Sequence, residues 1–221
     1  MPESNLDKLF EALRGITRRD KDDRMQSVGE PSGQIFLIVG LGNPGREYRE
    51  NRHNIGFMLI DRLAQRLGLT FSRTQSKALV TDGRFHEHKV ILAKPQTYMN
   101  NSGQAVGGLV KFHKLPLVNL LVAYDDVDLP FGVLRIKPSG GSAGQKGMKS
   151  ILQQLGTQDF PRLRLGIGRP PGRMQAAAYV LQDFDDPDEL SIFLDRAADA
   201  VLAFVTDGIE QTMTIYNRSE E

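Results

Sequence analysis

The chain has 221 residues, 40% of them hydrophobic, which is enough for one well-packed domain with a short appendage. It contains no cysteine, which excludes disulfides, thiolate nucleophiles and cysteine-ligated metals and fits a reducing compartment. The net charge of +1 conceals a basic block, because residues 35–181 carry 20 basic and 9 acidic side chains and residues 182–221 carry 2 and 11. Such a block favours a polyanionic partner, nucleic acid before a membrane, unless opposite charges neutralise it within the fold.

Residues 1–34 are predicted to be an N-terminal extension, either flexible or forming a short amphipathic helix. Apolar side chains recur there at helical spacing, in Leu6, Leu9, Phe10, Leu13 and Ile16. The charged and Gly/Pro-containing residues that follow are typical of a linker. The main domain is therefore expected to comprise residues 35–221.

The first half of the main domain is predicted to contain a strand, a helix and a hairpin. A short apolar run, Ile35–Val39, is typical of a buried strand, and the apolar spacing over Ile55–Leu67 is helical. Ala78–Val80 and Val90–Ala93 flank polar residues and are predicted to form an antiparallel pair.

The second half is predicted to contain three strands, Asn119–Tyr124, Val133–Lys137 and Leu163–Ile167. Helices are predicted over Ala105–Phe112, with Ser102 as N-cap, over Met148–Leu155 and over Asp186–Val205. This mixture of βα units and one hairpin predicts a single α/β domain. We expect a twisted, mixed, mostly parallel β-sheet flanked by helices.

A glycine pattern follows the first strand. Gly40, Gly42 and Gly45 match the G-x-G-x-x-G fingerprint of dinucleotide-binding proteins. That fingerprint requires a helix that begins within the motif, whereas the helical periodicity here begins only at Ile55. The acidic residue expected about 20 positions later, at the end of a second strand, is also missing. The pattern therefore disfavours a dinucleotide site.

His53 is the leading candidate for chemistry among the four histidines. It precedes a helix, and Asp125 directly follows an apolar strand, where α/β proteins place site residues. A carboxylate bonded to one imidazole nitrogen fixes the tautomer and leaves the other nitrogen as a base. No serine lies in a nucleophile-elbow context, so the expected nucleophile is water. Two alternatives are a surface or capping histidine and a metal bound by Asp125, Asp126 and Asp128.

Two further segments carry polar groups next to predicted helices. Asn100 and Asn101 can bind a peptide backbone, stabilise an oxyanion or simply cap a helix. The Gly-rich segment Lys137–Gly147 can hold an anion or serve as a flexible connection. Further candidates for phosphate contacts are Arg162, Arg164, Arg169 and Arg173.

Together these residues closely resemble the bacterial peptidyl-tRNA hydrolase family. The matching stretches occur in the family's order from Ile35 to about Phe184, and they are IVGLGNPGREYRENRHNIGF, KPQTYMNNSGQAV, LLVAYDDVDLPFGVLRIKPSGGSAGQKGMKSI, FPRLRLGIGRPPG and YVLQDF. The resemblance implies hydrolysis of the ester between a peptide and the 3′-terminal adenosine of tRNA, which recycles tRNA from stalled translation. It implies no metal or other cofactor. The expected partner is peptidyl-tRNA, through its acceptor arm and 3′ CCA end, and the expected enzyme is a cytoplasmic monomer that does not bind membranes.

The resemblance also assigns roles to individual residues. His53 matches the general base for the attacking water, Asp125 the carboxylate that orients it, and Asn43 the amide that distinguishes blocked from free aminoacyl-tRNA. Substrate-contacting positions are matched by Tyr48, Tyr98, Met99 and Asn100. Positions associated with tRNA phosphates are matched by Lys137, Arg164 and Arg173.

The chain departs from the family's pattern in two places. Gln145 and Lys146 stand where the family usually has His-Asn, and that Asn contacts substrate. We expect Lys146 to bind substrate instead, by offering a cation to the phosphates or the carbonyl. The second departure is the extension of residues 1–34, which the family generally lacks.

Overall fold

The computed structural model describes residues 33–218, and the predicted helix and linker of residues 1–32 lie outside this range. The assignment of the extension and the main domain therefore stays a prediction. Within residues 33–218, no helix is long and apolar enough to cross a membrane.

The described residues form one seven-stranded sheet. Its strands are β1 (Ile35–Gly40), β2 (Arg73–Gln75), β3 (Ala78–Phe85), β4 (His88–Pro95), β5 (Leu120–Asp126), β6 (Leu134–Lys137) and β7 (Arg162–Gly166). Their order is β2-β3-β4-β1-β5-β7-β6. Strands β4, β1, β5 and β7 are mutually parallel, whereas β3 and β6 run in the opposite direction. The predicted α/β fold with a mixed, mostly parallel sheet is confirmed.

Helices cover both faces of this sheet. They are α1 (Ile55–Arg66), α2 (Ser102–His113), α3 (Lys146–Leu155), α4 (Ala176–Tyr179) and α5 (Pro187–Tyr216). Phe36 and Ile38 of β1 pack with α1 and α5, while Leu37 and Val39 pack with α2 and α3. This burial on both faces explains why β1 is a continuous apolar run and not an alternating one. A fully buried side chain such as Ile38 contributes about 1.5–3 kcal/mol.

Most of the predicted boundaries differ from the structure by one or more residues. Ser102 is the first residue of α2 and not its N-cap, because the cap position is Asn101 and the Ser102 hydroxyl donates to the Met99 carbonyl at 2.8 Å. Strand β5 continues through Asp126, so Asp125 lies within the strand. Helix α5 runs beyond the predicted Val205 to Tyr216, interrupted by Gly208 at φ 79° and ψ 175°.

Two glycines allow α1 to begin very close to the sheet. A Cβ on Gly40 would lie 2.0 Å from the Gly56 carbonyl oxygen, and a Cβ on Gly56 would lie 2.7 Å from the Ala123 carbonyl oxygen. Real atoms do not approach this closely, so larger residues would push α1 away from β1 and β5. Because α1 begins this close to the sheet, the turn that precedes it, Arg52–Asn54, lies near the end of β5.

Candidate active site

A cleft of about 910 Å³ opens at the carboxyl ends of β1, β4 and β5. Open α/β sheets bind ligands at this edge because loops with polar residues follow each parallel strand there. The cleft brings together His53, Asp125, Asn43, Met99 and Lys146. Asn100 and Tyr98 also line it, so most of the predicted site residues share one cavity.

His53 and Asp125 are hydrogen-bonded at the base of the cleft. The distance from His53 Nδ1 to Asp125 Oδ2 is 2.8 Å, and the side chains are 14% and 4% exposed. Since an ionised carboxylate only accepts hydrogen bonds, Nδ1 carries the proton and Nε2 keeps its lone pair. This tautomer makes Nε2 the basic nitrogen.

The backbone around His53 is fastened to a distant part of the chain. The His53 N–H donates to the Val180 carbonyl at 2.8 Å. The buried guanidinium of Arg52 donates to the Asp183 carbonyl and stacks over the Tyr179 ring at 4.6 Å. The segment 179–183 therefore holds the one-turn helix Arg52–Asn54 at its place above β5.

Asn43 is oriented by two partners. The buried side chain of Asn54 accepts from the Asn43 N–H at 2.8 Å and donates to the Asn43 carbonyl at 2.9 Å. The Asn43 side-chain oxygen accepts from the Met99 N–H at 2.9 Å. The Asn43 Nδ2 donors are thus left for a group in the cleft. Sequence reasoning did not single out Asn54, although its position directly after His53 in the polar turn was a usable signal.

The remaining predicted substrate contacts differ in their placement. Tyr98 is 63% exposed at the rim, whereas Met99 is 4% exposed in the wall. Lys146 is exposed at the first position of α3 and lines the cleft. Tyr48 is half-buried in the short helix Arg46–Tyr48, and it is not among the described residues that line the cleft.

Gln145 is a site residue whose contact was not foreseen. It is buried as the N-cap of α3, where its Oε1 accepts from the Met148 N–H at 2.8 Å. Its Nε2 donates to Asp125 Oδ1 at 3.1 Å. Both carboxylate oxygens of Asp125 are therefore hydrogen-bonded.

Arg164 forms an ion pair with Asp126 close to the cleft. Its Nε donates to Asp126 Oδ2, and the two side chains are 16% and 4% exposed. Burial by itself lowers the pKa of Arg164, but the hydrogen bond and charge of Asp126 outweigh it, so the pKa is raised. If Arg164 contacts a tRNA phosphate as predicted, its guanidinium must bind that phosphate and Asp126 at the same time.

Arg162, another candidate for phosphate contact, is buried and 1% exposed. Its guanidinium donates to the carbonyls of Gly140 and Gly141 and, at 2.7 Å, to that of Gln158. Arg162 therefore anchors the Gly-rich loop through its carbonyls and is not accessible to solvent. In contrast, Lys137 and Arg173 are exposed.

The carboxylates proposed as metal ligands have other partners. Asp125 pairs with His53, Asp126 with Arg164, and Asp128 with Arg169 at 2.8 Å. Among the described residues, no group of three His, Cys, Asp or Glu side chains converges to hold a metal ion. The dinucleotide hypothesis also lacks its helix, since no α-helix begins within residues 40–45.

The sequence and the fold of this chain are similar to those of one family of known proteins. The model of the family described as peptidyl-tRNA hydrolase matches residues 37–221. The chain is 50% identical over 186 residues to a peptidyl-tRNA hydrolase of Chloroflexus aurantiacus, covering 83% of this chain and 99% of that protein. It is 48% identical over 198 residues to one of Streptomyces coelicolor, covering 86% and 98%. A crystal structure of an Arg119Gln mutant of the Acinetobacter baumannii peptidyl-tRNA hydrolase superposes with a TM-score of 0.77 at 37% identity, covering 83% and 94%.

Proposed function

This chain belongs to the peptidyl-tRNA hydrolase family, and we propose that it hydrolyses the ester between a peptide and the 3′-terminal adenosine of tRNA. The observation that carries the proposal is the His53–Asp125 pair, with 2.8 Å between Nδ1 and Oδ2, facing a cleft of about 910 Å³. The biological consequence is the release of stalled peptides and the recycling of tRNA.

In the proposed reaction, His53 is the general base. Its Nε2 takes a proton from water while the water oxygen attacks the ester carbonyl carbon, and the proton then passes to the departing 3′-oxygen. Asp125 keeps the proton on Nδ1 and stabilises the imidazolium that forms. The described residues that line the cleft include no Ser, Thr or Cys, so the attack is assigned to water. Positioned general-base catalysis contributes roughly 10²–10⁴-fold.

Amide groups are assigned to the peptide and the carbonyl. Because the Asn43 oxygen is engaged by the Met99 N–H at 2.9 Å, its Nδ2 is the group that binds substrate. Asn100 is exposed on the cleft and is proposed to position the peptide or the developing oxyanion, a donor role worth roughly 10²–10³-fold. Tyr98, at the rim, is proposed to stack on a terminal base of the CCA end.

The basic side chains are assigned to the tRNA. Lys137 and Arg173 are exposed, and phosphate contacts by such groups supply most of the affinity for nucleic acid. Lys146 is proposed to bind the terminal phosphates or the ester carbonyl. We propose that the protein acts as a monomer in the cytoplasm.

The test is a hydrolysis assay with purified protein and two substrates, an N-acetylated aminoacyl-tRNA and the free aminoacyl-tRNA. The acetylated ester should be cleaved faster, and His53→Ala should reduce its turnover by roughly 10²–10⁴-fold while tRNA affinity stays unchanged. Equal rates on the two esters, or full activity of His53→Ala, would contradict the proposal. Binding without turnover by the unchanged protein would favour an RNA-binding protein that has lost catalysis.

A further inference from the structure

We propose that Gln145 is a positioning residue that donates to Asp125, holds this carboxylate as the acceptor from His53 Nδ1 and thereby supports the Nδ1-protonated tautomer of His53; this rests on the proposed function of the His53–Asp125 pair. Gln145 hydrogen-bonds to Asp125 and is proposed to act on His53 through that carboxylate. It acts by donating to one carboxylate oxygen of Asp125, which leaves the other oxygen to accept from His53 Nδ1.

The orientation of the Gln145 amide follows from two of its contacts. Its Oε1 accepts from the Met148 N–H at 2.8 Å, as the cap of α3. A backbone N–H can only donate, so the oxygen of the amide must face Met148 and the nitrogen must face Asp125. The distance from Nε2 to Asp125 Oδ1 is 3.1 Å. The N-terminus of α3 thereby fixes Gln145 as the donor and Asp125 as the acceptor in the hydrogen bond between them.

The chain of contacts continues to the basic nitrogen. Asp125 accepts from Gln145 through Oδ1 and from His53 Nδ1 through Oδ2 at 2.8 Å. With both oxygens hydrogen-bonded, the plane of the buried carboxylate is fixed. His53 is then held with its proton on Nδ1 and its lone pair on Nε2.

Few other charges act on this arrangement. Asp126 and Lys146 are the other charged residues lining the described cleft. Asp126 is paired with Arg164, and Lys146 is exposed to solvent. Arg52, next to His53, is turned away to Asp185 at 2.7 Å. The contact that Gln145 makes with Asp125 is therefore a hydrogen bond from a neutral donor and not an ion pair.

The decisive test uses Asp125→Asn in two backgrounds. With Gln145 present, the new amide at position 125 must accept from Gln145 and point its own nitrogen at His53 Nδ1. That forces the proton onto Nε2 and removes the base, so kcat should fall roughly 10²–10⁴-fold. In Asp125→Asn/Gln145→Glu, the carboxylate introduced at position 145 still caps α3 but now accepts from the position-125 amide. The amide oxygen then faces His53 Nδ1, and kcat should recover at least about tenfold.

A purely structural role for Gln145 does not produce this rescue, because Gln145→Glu retains the helix cap in both backgrounds. Alone, Gln145→Glu should lower kcat about tenfold with little change in KM, since it sets two carboxylates against each other. Its acid limb in the pH profile should also move to higher pH, because added negative charge favours the imidazolium. Gln153→Glu, an exposed change in the same helix, is the matched control and should neither rescue nor shift the profile.

The same variants are read without substrate by ¹⁵N NMR of the His53 ring. We expect the proton on Nδ1 in the unchanged protein, on Nε2 in Asp125→Asn and on Nδ1 again in the double variant. A double variant that is no faster than Asp125→Asn and keeps the Nε2 tautomer overturns the inference. Expected tautomers in a protein that cleaves no ester would overturn the proposed function alone.

Discussion

Asn43→Asp is a nearly isosteric change with a defined chemical consequence. The Asn43 oxygen accepts from the Met99 N–H at 2.9 Å, and a carboxylate oxygen can keep that bond. The two hydrogen bonds between the Asn54 side chain and the Asn43 backbone, at 2.8 and 2.9 Å, do not involve the changed group. We therefore expect the variant to fold like the unchanged protein. It presents an anionic acceptor to the cleft, whereas Asn43 presents an N–H donor.

The size of the effect follows from that exchange. Loss of one hydrogen bond to the blocked amino terminus costs about 0.5–1.5 kcal/mol, so hydrolysis of an N-acetylated aminoacyl-tRNA should fall roughly 2–10-fold. A free aminoacyl-tRNA carries an ammonium group, and a hydrogen bond to a charged group contributes about 1.5–3 kcal/mol, or roughly 10–100-fold. The ratio of blocked to free ester hydrolysis should therefore decrease by more than about tenfold.

The assay measures kcat/KM for both esters with the unchanged protein, Asn43→Asp and Asn101→Asp. Asn101 undergoes the same chemical change at an exposed position that does not line the described cleft, and its ratio should stay the same. If Asn43→Asp also leaves the ratio of the two rates unaltered, then the Asn43 amide does not face the substrate's amino terminus, and the orientation argument fails.

Three other outcomes are expected. Lys137→Ala should weaken tRNA binding and reduce the slope of log K against log salt by about 0.7–0.9, measured by filter binding from about 50 to 200 mM salt; an unchanged slope would remove Lys137 from the interface. Arg162→Met should lower the free energy of unfolding in urea by about 3 kcal/mol, because the carbonyls of Gly140 and Gln158 lose their buried donor, and equal stability would contradict this. Burial raises the pKa of Tyr124 to about 12 from 10.0, so the folded state retains the phenol proton longer. Stability should be full below pH 10 and fall by about 3 kcal/mol towards pH 12, and Tyr124→Phe should lack this decline.

The parts that could be predicted from the sequence depend on local pattern. The apolar run of β1 and the helical spacing of α1 identified their elements because burial on one or two faces leaves a periodic trace. The proximity of His53 and Asp125 was expected because Asp125 lies near the end of an apolar strand, where α/β sheets place site residues, and because both residues match the family's catalytic positions. These conclusions needed no knowledge of loop paths.

The parts that could not be predicted depend on which side chains meet across loops. Arg162 and Arg164 are alike in sequence, two residues apart on β7, yet one is enclosed by carbonyls and the other pairs with Asp126. Gln145 reaches Asp125 only because the Gly-rich loop brings the start of α3 over β5. Tyr48 and Asn43 lie five positions apart, but only Asn43 lines the described cleft. Spacing along the chain carries no information on these encounters.

The fastening of the His53 turn to residues 179–183 has a consequence for biosynthesis. Each of residues 51–53 has a hydrogen-bond partner more than 120 positions later in the chain, including Val180 and Asp183. A ribosome therefore completes β1, α1 and β5 long before it supplies the groups that hold the general base. We expect fragments ending before residue 176 to be catalytically silent even where they contain both His53 and Asp125. We therefore expect the site to form only after the segment 179–183 has been synthesised.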